Sequence, residues 1–361
     1  MKHHNISAPY IHHWNTASFN DNILIGILSL VILWATILHG IAVLAICISG
    51  FLGLFLAWII RKFIFKFNGQ HKEIILSGLL LIMIFPITTP LYIPFFILFF
   101  TCIIFFVFFG GKENNYINIP AFGALFAYVS WPGIFTNMVI YNNETLSDAF
   151  SKATPITILQ TYSNTTTVSK NSLSILQELG IKISSIDKSI TDFLNTVFFN
   201  EFKSTLPYGF FDFIFGLRSN TIIESGLFIL FIGLILLFSI SYYKYLTSFS
   251  AFVVCIALVW IFGIGLPGED IFHGDILFST VNYGIVISLF YYNIFPEYNC
   301  VKKLGQIAIG VLTGLLAYVC IRFRSTTEGM FFVLCTINII VILCKNKQIN
   351  TFIQEDNYYY E

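Results

Sequence analysis

The stretch Ile41-Ala-Val-Leu-Ala-Ile-Cys-Ile-Ser-Gly-Phe-Leu-Gly-Leu-Phe-Leu-Ala-Trp-Ile-Ile60 decides the fold class, because its twenty residues include no charged side chain. At about 1.5 Å of rise per residue, such a helix spans about 30 Å, the thickness of the hydrocarbon core of a bilayer. The whole chain shares this character: 57% of its 361 residues are hydrophobic and 11% are charged, and its mean hydropathy is +0.80. Soluble domains carry about a quarter charged residues. The sequence therefore predicts an all-α polytopic membrane protein.

Apolar runs of about 17 to 23 residues recur along the chain, and we count about ten transmembrane helices. Only His39-Gly40 separates the first two runs, and little more than Pro90 separates the third from the fourth, which predicts two tight helical hairpins. Five spans precede the one long polar stretch and five follow it, a count that suits two inverted five-helix halves. The predicted spans cover residues 23–38, 41–60, 74–89, 91–109, 119–140, 221–241, 246–266, 276–295, 304–321 and 329–344.

Positive charge orients the predicted spans, because short basic loops stay in the cytoplasm. The resulting organisation is a cytoplasmic tail (1–22), helices 1–5 (23–140), an extracytoplasmic loop (141–207), helices 6–10 (208–345) and a second cytoplasmic tail (346–361). This predicts a multi-pass membrane protein with both termini in the cytoplasm. Arg322 and Arg324 are exceptions. The residues that set the orientation are Arg61, Lys62, Lys66, Lys72, Lys112, Lys244, Lys302, Lys303, Lys345 and Lys347.

Several functions lack sequence support. The 19 basic and 19 acidic residues balance, so no general positive field favours nucleic acid as a partner. No Cys-x-x-Cys occurs among the seven cysteines, which argues against an iron-sulfur cluster built by this chain alone. Two His-His pairs near the N-terminus have no ligand partners at metal-site spacing, so no metal site is predicted. A glycine-rich dinucleotide loop after a strand is also missing. We therefore expect a subunit of a larger complex rather than an enzyme acting alone.

Four ordered blocks of residues, spread from about Ser77 to Leu343, resemble one family: the RnfD component of the Rnf electron-transport complex and the related B component of the Na⁺-translocating NADH:quinone reductase. The third block includes Asp148-Ala-Phe-Ser151-Lys152-Ala-Thr154 in the polar loop and Glu224-Ser225 at the head of the sixth span. The first block is Ser77 to Leu81 with Thr89 to Tyr92, and the fourth is Arg322 to Gly329 with Asn338. The second block comprises Phe109 to Gly111, Asn115, Asn118, Gly123, Phe126 and Ser130-Trp131-Pro132.

This resemblance implies that Thr154 carries FMN through a phosphoester bond, installed outside the membrane by a flavin transferase. It implies a location in a bacterial inner membrane. It also implies electron transfer through that membrane to partner subunits, coupled to Na⁺ or H⁺ transport by the whole complex. Asp148 and Ser151 would offer the transferase polar contacts, and Lys152 would place a charge beside the phosphate. The resemblance also leaves room for a second flavin, such as riboflavin. The remaining residues that the family pattern assigns to cofactor contact are Asn118, Glu224 and Ser225.

The chain departs from the family pattern at several of these positions. Lys152 replaces a glycine, and Ala124 stands where the family has an arginine that could bind phosphate through two hydrogen bonds. Ile119-Pro120 replaces Pro-Ala, and Gly226 replaces a serine. These changes leave two other classes open: a flavin-free transporter or channel derived from the same fold, and a subunit that only scaffolds redox partners.

Two further patterns have alternative explanations. Glu224 at the head of the sixth span suits ion, proton or cofactor contact, and it equally suits a helix N-terminal acid with Thr221 as a nearby cap. Apolar residues between Leu173 and Phe199 follow helical spacing, which predicts an amphipathic helix that lies on the membrane or covers the site.

Overall fold

The structure, a computed structural model, describes residues 17–64, 71–109, 118–135, 172–178, 183–201, 205–217, 221–264, 272, 274–282, 284–288, 303–323 and 329–341. Helices dominate these residues, among which no strand occurs. The helices are α1 (Ala17–His39), α2 (Ile41–Ile59), α3 (His71–Met83), α4 (Tyr92–Cys102), α5 (Ile119–Ser130), α6 (Pro132–Phe135), α7 (Ser172–Glu178), α8 (Ser185–Leu194), α9 (Phe210–Ile214), α10 (Leu227–Phe262), α11 (Ile276–Asn282), α12 (Lys303–Arg322) and α13 (Gly329–Val341). Single π-helical turns extend α2 (Ile60–Ile64), α4 (Ile103–Phe108) and α8 (Asn195–Phe199).

The first predicted hairpin is confirmed. Helix α1 ends at His39, α2 begins at Ile41, and Gly40 between them adopts φ 73°. Backbone in this left-handed region is readily accessible only to glycine. One residue is therefore enough to end the first helix and start the second.

Prolines shorten two of the predicted spans. The sequence predicts a third span that runs to Thr89, but α3 ends at Met83, and residues 84–91 turn without forming a helix. Pro86 and Pro90 explain this, because proline lacks an N–H and disfavours helical backbone in the preceding residue. The fifth predicted span is continuous through Ile140, but α5 ends at Ser130, just before Pro132. The end of α3 therefore leaves irregular backbone whose residues 84–87 are buried, whereas only Trp131 separates α5 from α6.

Helix α10 contains both the sixth and the seventh predicted spans. Its backbone is helical throughout Leu227–Phe262, yet the rings of Phe238 and Phe249 lie 5.2 Å apart. Eleven residues of straight helix would separate the two Cα atoms by about 16 Å, so the chain must turn back between them. Two apolar stretches lie on either side of this reversal: Glu224–Ser239, which begins in the 3₁₀ turn just before α10, and Leu246–Phe262. They correspond to the two predicted spans.

A helix occurs at each of the ten positions where a span was predicted. Within the described parts of the chain, three stretches are long and apolar enough to cross a membrane by themselves: Asp21–His39, Ile41–Ile64 and Lys303–Arg322. Several others are shorter apolar helices, among them Tyr92–Phe108 and Ile119–Ser130. The fold is thus that of an all-α, multi-pass membrane protein, while the count of ten crossings and the inverted halves stay predictions.

Glycines bring the second and fourth spans of each half close together. In the first half, Gly53 of α2 lies against the Phe95 carbonyl of α4. In the second half, a Cβ on Gly310 of α12 would lie 2.5 Å from the Thr247 carbonyl of α10, and one on Gly314 would lie 2.7 Å from the Ala251 carbonyl. Paired small residues permit such close packing in membranes, where packing replaces the hydrophobic effect between helices. The same pairing in both halves agrees with a repeated five-helix unit.

Candidate functional site

Two irregular segments meet at the centre of the helical bundle. Residues 84–91 follow α3, and residues 221–226 precede α10. The Ile223 N–H donates to the Met83 carbonyl at 2.8 Å, and the Ile222 N–H donates to the Phe85 carbonyl at 3.3 Å. Backbone polar groups at membrane depth need protein partners because lipid supplies none. Each broken segment therefore satisfies backbone groups of the other, and the pair fixes the start of α10 against the end of α3.

Glu224 lies in the turn before α10 and takes part in a reciprocal helix cap. The Thr221 N–H donates to Glu224 Oε2 at 3.2 Å, and the Glu224 N–H donates to Thr221 Oγ1 at 3.4 Å. This is the capping box that the spacing Thr-x-x-Glu allows. The structure thus gives Glu224 the capping role that the sequence left open, and its proposed role in ion or cofactor contact stays a prediction.

Ser225, the next predicted site residue, is fully buried and joins α10 to the end of α1. Its hydroxyl donates to the Thr221 carbonyl at 3.1 Å, and His39 Nε2 lies 2.7 Å from the same oxygen. Because the hydroxyl proton is used on Thr221, the geometry suits an imidazole that carries its proton on Nε2. Sequence reasoning missed His39 as a site residue. The available signal was a histidine at the end of an apolar run, one position before the turn glycine.

A small cavity borders Glu224, and five predicted spans contribute to its wall. The space that a water molecule can occupy is about 10 Å³, which is about enough for one water. Its polar lining includes Glu224, Thr221 and Ser288, and Tyr128 and Phe331 close it on the apolar side. Flavin-sized ligands occupy pockets of about 300 Å³ or more. This cavity has room for one water, and a second flavin does not fit it.

The described residues that follow the predicted extracytoplasmic loop, 208–217, cover this turn. Gly216, with φ 78°, packs directly on the Ser225 backbone, and a side chain there would collide with it. The Trp34 Nε1–H of α1 donates to the Phe215 carbonyl at 3.1 Å. Farther along, Asp275 caps α11 by accepting from the Phe278 N–H at 3.0 Å and also accepts from the Ser172 N–H at 3.2 Å. The loop is therefore attached to the ends of α1, α10 and α11 that surround the site.

Asn118, the site residue predicted from the second block, lies away from the turn that contains Glu224 and Ser225. Asn118 is fully buried and caps α5, where its Oδ1 accepts from the Ala121 N–H at 3.0 Å. Tyr128, which lines the cavity, lies ten residues along the same helix, about 15 Å away. Asn118 is thus not brought together with Glu224 and Ser225. Ala124, at the position of the family arginine, is fully buried. Pro120 falls in the first turn of α5, where proline is tolerated.

Gly226 accounts for one departure from the family pattern. A Cβ at this position would lie 2.7 Å from Val31 Cγ1 of α1. The glycine that replaces the family serine therefore permits the close crossing of α1 and α10. Four of the predicted site residues lie outside the described residues and have no structural assignment: Asp148, Ser151, Lys152 and Thr154.

The model of the NQR2, RnfD, RnfE family matches residues 4–358, nearly the whole chain. A search of curated proteins finds no match. The match agrees with the ordered blocks in the sequence and with the multi-pass helical fold. This chain belongs to the NQR2, RnfD, RnfE family and is a membrane subunit of an Rnf- or NQR-type electron-transport complex.

Proposed function

We propose that this chain carries FMN on Thr154 and passes electrons through the membrane within an ion-translocating complex. The family match over residues 4–358 carries the proposal, together with the occurrence of Asp148, Ser151 and Thr154 in the family's order. FMN would supply one- and two-electron chemistry that no protein side chain here provides. Coupling to Na⁺ or H⁺ would belong to the assembled complex, and a flavin transferase would install the group.

The topology of the described helices supports this use of Thr154. The segment that contains it, residues 136–171, connects Phe135 at the end of α6 to Ser172 at the start of α7. Phe135 stacks on Tyr128 with ring centroids 3.9 Å apart, near the broken helices. Ser172 is hydrogen-bonded to Asp275 at the start of α11. Both ends of the segment thus lie on the face of the bundle that contains the capped turn of Glu224.

The protein's own contribution on this face is a rigid support. The capping box of Glu224 and the hydrogen bonds of Ser225 fix the turn before α10. The loop residues that follow the flavin segment pack on this turn through Gly216. A covalent tether on a fixed support limits the range of positions that a flavin ring can take, which is what electron transfer between neighbouring cofactors requires.

Mass spectrometry of a tryptic digest tests the proposal. The chain should be co-expressed with a flavin transferase and its partner subunits. We expect the peptide with Thr154 to gain the mass of FMN less one water, and the band on a denaturing gel to fluoresce under ultraviolet light. Thr154→Ala should abolish both signals. Thr157→Ala, three residues away on the same segment, is the matched control and should keep them. A parent chain without added flavin would refute the proposal.

A flavin-free transporter is the second candidate, and the broken helices favour it. Discontinuous helices whose ends meet at mid-membrane form the binding sites of many transporters. Here residues 84–91 and 221–226 interrupt the helices and are joined by backbone hydrogen bonds, beside a cavity with a carboxylate. This candidate predicts solute or ion flux into vesicles that contain the chain alone. Unchanged flux in Thr154→Ala vesicles would favour transport without flavin.

A further inference from the structure

Helix α8 with its π-helical turn has three distinct sides. One side packs on the loop through buried polar residues, Asp187 and Thr191. A second side carries exposed polar residues, among them Lys188 and Asp192. The third side carries Ile186, Ile190, Phe193 and Val197, whose spacing of four, three and four residues forms one stripe along a helix.

The buried side is fully occupied by the protein. Asp187 is 0% exposed, and its carboxylate accepts from the N–H groups of Gly209 at 2.7 Å, Phe211 at 2.8 Å and Asp212 at 3.3 Å. At the helix N-terminus, Ser184 caps the Asp187 N–H at 3.1 Å and also donates its hydroxyl to Asp212. These contacts fix the rotation of α8 about its axis. The helix cannot turn its apolar stripe inward without breaking them.

The apolar stripe is left facing outward. Ile186 is 57% exposed, Phe193 60% and Val197 48%, and the neighbouring Phe198 is 56% exposed. Lys188 lies about 160° around the helix from the centre of this stripe, so water can solvate the opposite side. There, the Tyr208 hydroxyl donates to Asp192 at 2.7 Å, a bond that raises the pKa of the phenol. A large apolar patch with a polar opposite face marks a contact surface.

The loop around α8 continues into the lipid-facing part of the molecule. From α8 the chain passes through α9 to Phe215, whose carbonyl accepts from Trp34 and whose ring lies 5.6 Å from that of Phe228. Trp34 lies five residues before the end of α1, so the loop reaches about 7 Å below that end. On the same helices, Leu33, Ile37 and Ile232 are exposed apolar residues, as expected of positions that face lipid. Helix α8 is thus attached near the end of α1, beside apolar surface suited to lipid.

We propose that the apolar stripe of α8 lies in the phospholipid leaflet on this face, at the boundary between headgroups and acyl chains. A helix with one strongly apolar face, a charged opposite face and only a modest apolar content as a whole is typical of such binding. Apart from Phe193, the stripe is made of Ile and Val, and it contains none of the Tyr, Trp, Met and Arg that, with Phe, are enriched at protein interfaces. The exposed charges of Lys188 and Asp192 cancel, so burial of apolar surface drives binding, and no particular headgroup charge is needed. The lipid contact would hold the loop and its segment 136–171 close to the membrane.

Site-specific photocrosslinking in native membranes tests this proposal. p-Benzoylphenylalanine would replace Phe193 or Val197 on the stripe, and Lys188 on the opposite side as the matched control. All three side chains are exposed, so each variant should match the parent in size-exclusion chromatography. After irradiation, mass spectrometry should find phospholipid adducts at positions 193 and 197 with a yield about tenfold above that at 188.

Other outcomes would overturn the proposal. A protein crosslink from position 193 or 197, visible as a shifted band on a gel, would show that a partner subunit covers the stripe. Equal lipid yields at positions 188 and 193 would show that the helix has no preferred side toward the membrane. Absence of adducts at both stripe positions would show that the stripe faces water. None of these results depends on whether Thr154 carries flavin.

Discussion

Asp187→Asn is the sharpest test of how the loop is held on the membrane helices. The substitution keeps the size of the side chain and replaces one acceptor oxygen by an NH₂ donor. Both carboxylate oxygens of Asp187 accept backbone N–H groups, Oδ2 from Gly209 and Oδ1 from Phe211 and Asp212. Whichever way the amide is oriented, at least one buried N–H therefore faces a donor.

The expected loss follows from these contacts. A hydrogen bond to a charged group contributes about 1.5–3 kcal/mol, and a buried donor without a partner costs about 1–3 kcal/mol. With at least one such bond lost and the others weakened by removal of the charge, local opening of residues 205–217 should become easier by about 3 kcal/mol. Since about 1.4 kcal/mol corresponds to a tenfold change, this is about a hundredfold in the opening equilibrium.

Hydrogen–deuterium exchange of the protein in nanodiscs measures this change directly. Peptides that contain the N–H groups of Gly209, Phe211 and Asp212 should exchange about a hundred times faster in Asp187→Asn than in the parent. Peptides from α2 and α4 should be unchanged. Asp192→Asn is the matched control, because this carboxylate on the same helix is exposed and bonded to the exposed Tyr208 hydroxyl. Exposed pairs contribute about 0.2–1 kcal/mol.

Two results would refute this reasoning. If exchange near Gly209 in Asp187→Asn stayed within about threefold of the parent, the buried carboxylate would not hold the loop. If Asp192→Asn accelerated exchange as much as Asp187→Asn, the effect would come from general charge rather than from the buried hydrogen bonds.

Two further predictions concern the glycines that set helix spacing, and both are measured as thermal unfolding midpoints in detergent. Gly226→Ser restores the family residue and should destabilise the chain by about 1–3 kcal/mol, because its Cβ would meet Val31 at 2.7 Å. The double variant with Val31→Ala should recover most of this stability. If it recovered none, the proposed contact between Gly226 and Val31 would be contradicted. Gly310→Ala should lower the unfolding midpoint, because its Cβ would meet the Thr247 carbonyl. Gly26→Ala should raise the midpoint, because its Cβ would meet nothing within 4 Å and alanine favours a helix by up to about 1 kcal/mol over glycine. Shifts of the same sign in both glycine variants would contradict this packing.

Much of the fold could be predicted from local sequence. The His39-Gly40 turn was predictable because only glycine readily adopts the backbone that ends one helix and begins the next within a single residue. The family could also be recognised, because short blocks keep their order along the chain and the family model covers the same residues. Helix ends were predicted less well. Apolar composition continues through Thr89, but α3 ends at Met83, six residues earlier, because Pro86 cannot continue the helix.

The sequence by itself determined that the chain is a multi-pass helical membrane protein, because hydropathy and span length are local properties that lipid imposes on every helix. Only the tertiary structure decided which distant groups meet. It paired His39 with Ser225, placed the Ile223 N–H on the Met83 carbonyl and turned the apolar stripe of α8 outward. The first two contacts join residues 140 or more positions apart, and helical periodicity contains no record of the partner. Asp187 shows this most clearly, since its burial depends on three N–H groups more than twenty residues away.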